Sequence, residues 1–376
     1  MTVTRVLVVE PHARETELLT APAIREAAAI LRRGGLVAFP TETVYGLGAV
    51  ATDARAVANL FAAKGRPADN PLIVHLAAAE DAARVARDIP PEAWRLWARY
   101  APGPLTLVLP SRGTVAPAAL AGLPTVAVRI PAHPVARALI RAAGAPIVAP
   151  SANRSGRPSP TTAAHVLEDL AGRIDAVVDG GPAGIGLEST VLDVTRRPAV
   201  VLRPGAVTVE MLEAVLGDGA VVDPAAPLRD GEAPRSPGMK YRHYAPDVPL
   251  ALLDLEDGAE AAVEALRAAL AVSGPPPAVI ATEEDAARLR ALLAAAGVPS
   301  DRLLWVIVGR RSEPETVAAA LYGAFRSLRP EAASRAFFVR LPETGLFRAV
   351  MNRVRKAAGD PPFPGKDAAP AAPAPE

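Results

Sequence analysis

Short apolar runs of strand length alternate with amphipathic helical patterns along almost the whole chain, and that alternation admits few folds. TRVLVV, LVAFP, PLIVHL, LTLVLP, VAVRI, PIVAP and AVVD are runs of the first kind, while APAIREAAAILRR, ARAVANLFAA, PVARALIRAAG and TAAHVLEDLAG are of the second. The first kind buries within a sheet and the second buries one helix face, so together they build a layered α/β domain. Local signals mark the helix ends. Gly34-Gly35 stop the first helix, since glycine accepts the positive φ that follows a last turn. Asp53 opens the next helix with a carboxylate placed to cap free N–H groups. STVLDV and AVVLRPG read as a closing strand pair, with TVEMLEAVL a helix behind Thr208. The irregular connections predict a mixed sheet with helices.

From Pro249 the rhythm becomes regular. PLALLDL, PAVIAT, RLLWVIV and RAFFVRL are strands, each followed by a helical pattern, which predicts a small Rossmann-like α/β domain. The turn after its first strand, DLEDGAEAA, lacks the glycine pattern of a dinucleotide site, so a regulatory or scaffolding role is expected there. The reading divides the chain into a catalytic domain over 1–217, a linker over 218–248, a second domain over 249–359 and a Pro/Ala-rich, disordered tail over 360–376. A length of 376 residues, half of them hydrophobic, suffices for two cores.

Composition then removes whole classes of chemistry. There is no cysteine, hence no disulfide, thiolate zinc site or cysteine nucleophile. A net charge of +1 provides no overall basic field for nucleic acid. The opening MTVTRVLVVEPHARE lacks the features of a signal peptide, and no run of apolar residues is long enough to span a bilayer. A soluble cytoplasmic protein without membrane contact is expected.

Four stretches do not look like packing. In FPTETVYGLGA a strand runs into Thr41, Glu42, Thr43, Tyr45 and two glycines; strand ends in α/β sheets receive ligands, although an ordinary turn uses the same residues. In KGRPADNPLIVHL, Lys64 and Arg66 stand at a helix end, stiffened by Pro67 and Pro71 and followed by Asn70 and His75. A rigid Lys-x-Arg pair suits a polyphosphate, while two cations there also complement the helix dipole, and His75 also reads as a core histidine. PIVAPSANRSGRPSPT delivers Ser151, Asn153, Arg154, Ser155 and Ser159 into a loop before a helix, the setting in which backbone N–H groups and hydroxyls bind anions. Ser151 lacks the surroundings of a nucleophilic serine. Finally, VAVRIP, GIGLESTVLDV and VLRPG carry Arg129, Ser189, Thr190 and Arg203; an arginine in an apolar strand is costly unless its charge meets a partner. Together these residues make a pocket that works by positioning and charge neutralisation, as in attack on a nucleoside triphosphate. With no carboxylate cage in view, a metal would arrive with the nucleotide.

FPTETVYGLG, KGRPADNPLIVH, PGPLTLVLP, VAVRIPAHP, APSANRSGRPSPT, LESTVLDV and VLRPG, in that order, resemble the YrdC-like L-threonylcarbamoyladenylate synthase family, in its longer two-domain form. The resemblance implies condensation of L-threonine, bicarbonate or CO2 and ATP, with Mg2+, into threonylcarbamoyl-AMP and pyrophosphate. It also implies hand-over of the product to a tRNA threonylcarbamoyl transferase complex, with weak tRNA contact. By the same resemblance Lys64, Arg66, Ser151 and Asn153 are the catalytic signature, and Thr43, His75, Arg129, Ala149 and Ser189 line the threonine site. Arg66, Asn70, Thr125, Ser151, Ser159, Arg203, Tyr241 and His243 would bind ATP. Two rival classes are an RNA-binding module, disfavoured by the near-zero net charge and scarce aromatics, and a carbamoyltransferase, which would want zinc-binding cysteines.

The linker stretch SPGMKYRHYAP concentrates two phenols, an imidazole and two cations where a tether needs none. A mixed-anhydride product hydrolyses readily, so the expectation is a lid that folds back over the ATP site, with Tyr241 and His243 on the nucleotide and Lys240 and Arg242 adding charge. A plain spacer packed on the second domain is the alternative.

Overall fold

A computed structural model describes residues 3–11, 13–222 and 243–359. The lid's Lys240, Tyr241 and Arg242, most of the expected linker and the expected disordered tail lie outside the described residues.

The first domain is an 11-stranded sheet among the described residues. Its strands are β1 (Arg5–Val8), β2 (Val37–Phe39), β3 (Gly46–Val50), β4 (Ile73–His75), β5 (Leu105–Pro110), β6 (Thr125–Arg129), β7 (Ile147–Val148), β8 (Ala176–Asp179), β9 (Thr190–Asp193), β10 (Ala199–Arg203) and β11 (Val221–Val222). They lie in the order β1-β8-β2-β3-β7-β4-β6-β5-β9-β10-β11. The sheet is mixed, as expected: β4 and β6 run parallel, β5 and β6 antiparallel. Its helices are α1 (Glu15–Leu18), α2 (Pro22–Arg32), α3 (Ala54–Lys64), α4 (Pro91–Tyr100), α5 (Pro117–Leu120), α6 (Pro134–Ala143), α7 (Ala163–Leu170) and α8 (Val209–Leu216). Asp53 caps α3 by accepting from the N–H groups of Arg55 and Ala56, and α2 ends before Gly34 at φ +83°.

The period of two sorts the strands between two cores. Ala38, Val148 and Val177 face the core under α3 and α4, while their neighbours Val37, Phe39, Ile147 and Val178 face the core under α2 and α6. Three features depart from the sequence reading. FPTETVYGLGA, read as a strand end that receives a ligand or else an ordinary turn, continues from Gly46 as the strand β3; a Cβ at Gly48 would come within 2.8 Å of the Phe39 ring, so that glycine permits close strand packing. PEAWRLWARY forms α4, and β11 adds to the sheet beyond residue 217, so the first domain runs further than the boundary expected.

The second domain follows the expected alternation: β12 (Leu250–Leu253), α9 (Ala259–Leu270), β13 (Ala278–Ala281), α10 (Glu283–Ala295), β14 (Leu304–Ile307), α11 (Pro314–Ser327), β15 (Ala336–Val339) and α12 (Gly345–Ala358). Its four strands are all parallel, in the order β12-β15-β13-β14. Leu266, Leu289 and Leu293 cover one face; Leu321, Phe325, Val350 and Val354 cover the other. The second of these cores takes in Val44 and Leu187 of the first domain, together with Tyr244. At Gly186, φ is +78° and a Cβ would stand 2.5 Å from the carbonyl oxygen of Ala318 in α11, so the domains meet there backbone to backbone.

Candidate active site

Strand pleating builds the pocket. Ile73 and His75 on β4, Arg129 on β6 and Ala149 just after β7 line one cavity with Thr43 from the β2–β3 connection and Gly46 at the start of β3. His75 stands opposite Arg129, and Thr106 stands opposite Arg129 from the other side. The segment from Ser151 to Arg157 forms a second wall, Glu188, Ser189 and Arg203 a third, and His243 and Tyr244, near the C-terminal end of the linker, close it.

Arg129 is buried, and its charge meets a partner as the strand setting requires. Its Nη2 donates to Glu42 Oε1 at 2.7 Å, its Nη1 to Thr43 Oγ1 at 2.8 Å and its Nε to the Gly103 carbonyl at 3.3 Å. Three of its five N–H groups are thus engaged, leaving one on each terminal nitrogen for a ligand. Thr41 Oγ1 lies 2.8 Å from Thr43 Oγ1 and donates to the Val44 carbonyl at 2.6 Å, which fixes the loop that presents Thr43. Ser189 Oγ lies 2.7 Å from Thr106 Oγ1, and Arg203 donates to both the hydroxyl and the carbonyl of Ser189.

Lys64 ends α3, with Gly65 in the left-handed conformation behind it. Its Nζ donates to the carbonyls of Ser151 and Asn153, so the cation clasps the loop that sequence reasoning placed beside it. Asn153 Nδ2 donates to the carbonyls of Arg154 and Arg157 and closes the same loop on itself. Arg66 donates to the carbonyls of Asn70 and Pro71, the stiffening expected of that proline-bounded segment. Burial, and then the nearby Arg66 charge, holds Lys64 well below the ordinary lysine range. Enclosure lowers Arg66 to about 10.

The lining carries five basic side chains (Lys64, Arg66, Arg129, Arg157 and Arg203) against one carboxylate, Glu188. Burial by itself would raise Glu188, but the charges of Arg353 and Arg203 and the Ser159 hydroxyl outweigh it and hold the group at about 2. Burial lowers His75 to about 3, with Arg129 adding to the effect, and lowers His243 to about 3, with Arg66 adding. Both imidazoles are therefore neutral acceptors or donors near neutral pH.

That pair sets a pH dependence of stability. The unfolded histidines take up protons below about pH 6.5, whereas the folded ones stay neutral until far lower, so the unfolded state binds more protons in between. Stability is expected to fall as pH drops from about 6.5 to about 4, each histidine contributing up to about tenfold in the folding constant per pH unit. Denaturant midpoints across that range measure the slope, and His75→Gln should make it shallower by nearly one proton. An unchanged slope would show that His75 is protonated in the fold.

The structure does not bring every expected residue to the cavity. Thr125 opens β6 while Arg129 ends it, placing the two about 13 Å apart. Thr125 shares a face of β6 with Arg129 but stands at the strand's other end and is not among the residues that line the cavity. Asn70 and Ser159 are buried just behind the lining, Ser159 donating to Glu188. Tyr241 lies outside the described residues. Sequence reasoning missed Glu188, Arg157 and Tyr244 as lining residues. Glu188 sits beside the singled-out Ser189, and its isolation in an apolar stretch was the available signal.

A family model described as telomere recombination, covering Sua5, YciO and YrdC, matches residues 29–205. A second, described as the C-terminal domain of threonylcarbamoyl-AMP synthase, matches residues 207–359. A Bacillus subtilis protein called threonylcarbamoyl-AMP synthase is 47% identical over 343 residues, spanning 90% of this chain and 93% of its own. The chain belongs to the Sua5–YciO–YrdC family, in its two-domain Sua5 form. A Pyrococcus abyssi threonylcarbamoyl-AMP synthase is 44% identical, covering 89% of this chain and 94% of its own length. The crystal structure of Pyrococcus abyssi Sua5 complexed with L-threonine superposes with a TM-score of 0.81 at 42% identity, over 95% of this chain and 98% of that one. The two-domain Sua5 architecture thus extends over both sheets described above. Among the described residues of this Sua5-type chain, no helix is long and apolar enough to cross a membrane.

Proposed function

We propose that this chain is a threonylcarbamoyl-AMP synthase: it condenses L-threonine, bicarbonate or CO2 and ATP into threonylcarbamoyl-AMP and pyrophosphate. The observation that carries the reading is the basic lining of the cavity: Arg129 pairs with Glu42 and Arg157 with Asp169 and Asp247, while Lys64, Arg66 and Arg203 donate to carbonyls and a hydroxyl, and the one lining carboxylate, Glu188, is engaged by Ser159, Tyr322 and Arg353. Such a pocket suits a polyanion. The names of the relatives identify the polyanion's chemistry as that of an adenylate-forming enzyme.

The chemistry divides between two ends of the cavity. At one end Arg129, Thr43, Ser189 and neutral His75 offer an arginine fork, two hydroxyls and an imidazole, a set that fits an amino-acid carboxylate, hydroxyl and amine. The threonine amine adds to CO2, losing a proton, and becomes a carbamate. At the other end Arg66, Arg157, Arg203 and the Ser151 loop face the triphosphate. A carbamate oxygen attacks the α-phosphorus, the bond to the bridging oxygen of the β-phosphate breaks, and pyrophosphate departs with its charge met by the cations. The lining's one carboxylate is fully engaged, so Mg2+ would be held chiefly by the phosphates and water and would supply further charge neutralisation. The product's transfer to tRNA beside the anticodon falls to a separate transferase.

Pyrophosphate release measured with L-threonine, bicarbonate and ATP, and then with each left out, tests the reading. Release should require all three. Release that ignores threonine would make the chain an ATP pyrophosphohydrolase of another kind.

A further inference from the structure

Two helices of the second domain reach the wall of the catalytic cavity. From α12, Arg353, which has no solvent exposure, donates through Nε to Glu188 Oε2 at 2.9 Å. From α11, the Tyr322 hydroxyl lies 2.9 and 3.1 Å from the two carboxylate oxygens of Glu188. From the first domain, Ser159 donates to Oε1 of the same carboxylate. Glu188 lines the cavity and precedes Ser189, whose hydroxyl and carbonyl are gripped by Arg203.

A buried carboxylate in a pocket that binds polyanions is an anomaly. It repels the ligand, and it competes with the ligand for the nearby guanidinium of Arg203 unless its own charge is matched elsewhere. The matching charge comes from the other domain. We propose that Arg353 and Tyr322 act on the reaction as positioning residues: by neutralising and fixing Glu188 they leave Arg203 free for the phosphates and hold Ser159 and Ser189 in place. The second domain thereby supplies an electrostatic part of the ATP site without touching ATP. Arg326 of α11 strengthens the same wall, donating to the Pro158 carbonyl at 2.6 Å and pairing with buried Asp169 at 2.8 Å. This inference rests on the ATP-and-threonine reading.

The experiment uses the full chain and pyrophosphate release at varied ATP and varied threonine. Arg353→Met should raise the KM for ATP by about thirtyfold while changing the KM for threonine by less than about threefold. Adding Glu188→Gln should recover most of that loss, because the offending charge is gone. A merely structural role would reduce the amount of active enzyme without raising the KM for ATP above that for threonine, so an unchanged KM for ATP in Arg353→Met overturns the proposal, as does failure of the double variant to recover ATP affinity. If Arg353→Met does not fold, Tyr322→Phe keeps the ring packing and removes only the hydroxyl. It should raise the KM for ATP by about fivefold with little change in kcat, and an unchanged KM overturns the proposal. Wild-type protein that releases no pyrophosphate sinks the functional reading itself, an outcome distinct from any of these.

Discussion

Arg129→Ala is expected to lower threonine-dependent pyrophosphate release by about a thousandfold, the loss falling on the KM for threonine before that for ATP. Two costs combine. The guanidinium donates to both Thr43 and Glu42, so its removal deletes the fork offered to a substrate carboxylate. It also leaves Glu42 without its ion-pair partner, with Oε2 already buried and unpaired, and so adds a negative charge at the end where a carboxylate should bind. Arg129→Lys restores the charge but not the fork, and should recover only part of the activity. Steady-state kinetics over a threonine series measures both; an unaltered threonine KM in Arg129→Ala would remove Arg129 from the threonine site.

Lys64→Ala should reduce kcat by a comparable factor, about a thousandfold, by a different route. The ammonium holds the carbonyls of Ser151 and Asn153 and keeps a third N–H for the pocket. Without it the loop loses its tie to α3, and the departing pyrophosphate loses a nearby cation. Hydrogen exchange separates the two contributions. Faster exchange over residues 151–157 with retained ATP binding reports the clasp, while a kcat loss with unchanged exchange reports charge stabilisation alone. Unchanged turnover of all three substrates would deny Lys64 either role.

Local pattern carried much of the architecture. Val37, Val148, Val177 and their neighbours sit in runs whose period sorts them between two cores, and the regular alternation after Pro249 left little choice but a parallel sheet. The strand β3 was hidden by its glycines: Gly48 admits the Phe39 ring, and nothing in GLGA distinguishes that from a loop. The cavity was legible where its residues are close in sequence to strand or helix ends, as with Lys64, Arg66, His75, Arg129 and Ser189. Thr125, a motif's neighbour along the strand, lies at the opposite end of β6 from Arg129 and outside the cavity lining. Glu188 and Arg353 were not legible as a pair. They are 165 residues apart and in different domains, and an arginine within MNRVRKAAG reads as one more charge on a helix until α12 is seen to bury it. At the C-terminal end of the expected lid, His243 and Tyr244 line the cavity, while the Tyr244 ring lies 5.4 Å from that of Tyr322 in the second domain, the packing that the spacer alternative expects.

The central claim is that one cavity joins three substrates into a single adenylate. Incubating the protein with carbon-13 bicarbonate, L-threonine and ATP, and analysing the quenched mixture by mass spectrometry, tests it directly. A species containing one threonine, one labelled carbon and one AMP is expected, formed in step with pyrophosphate and lost when Arg129 or Lys64 is replaced by alanine. Pyrophosphate formed together with unmodified AMP, and no label in any adenylate from the earliest times onward, would contradict it.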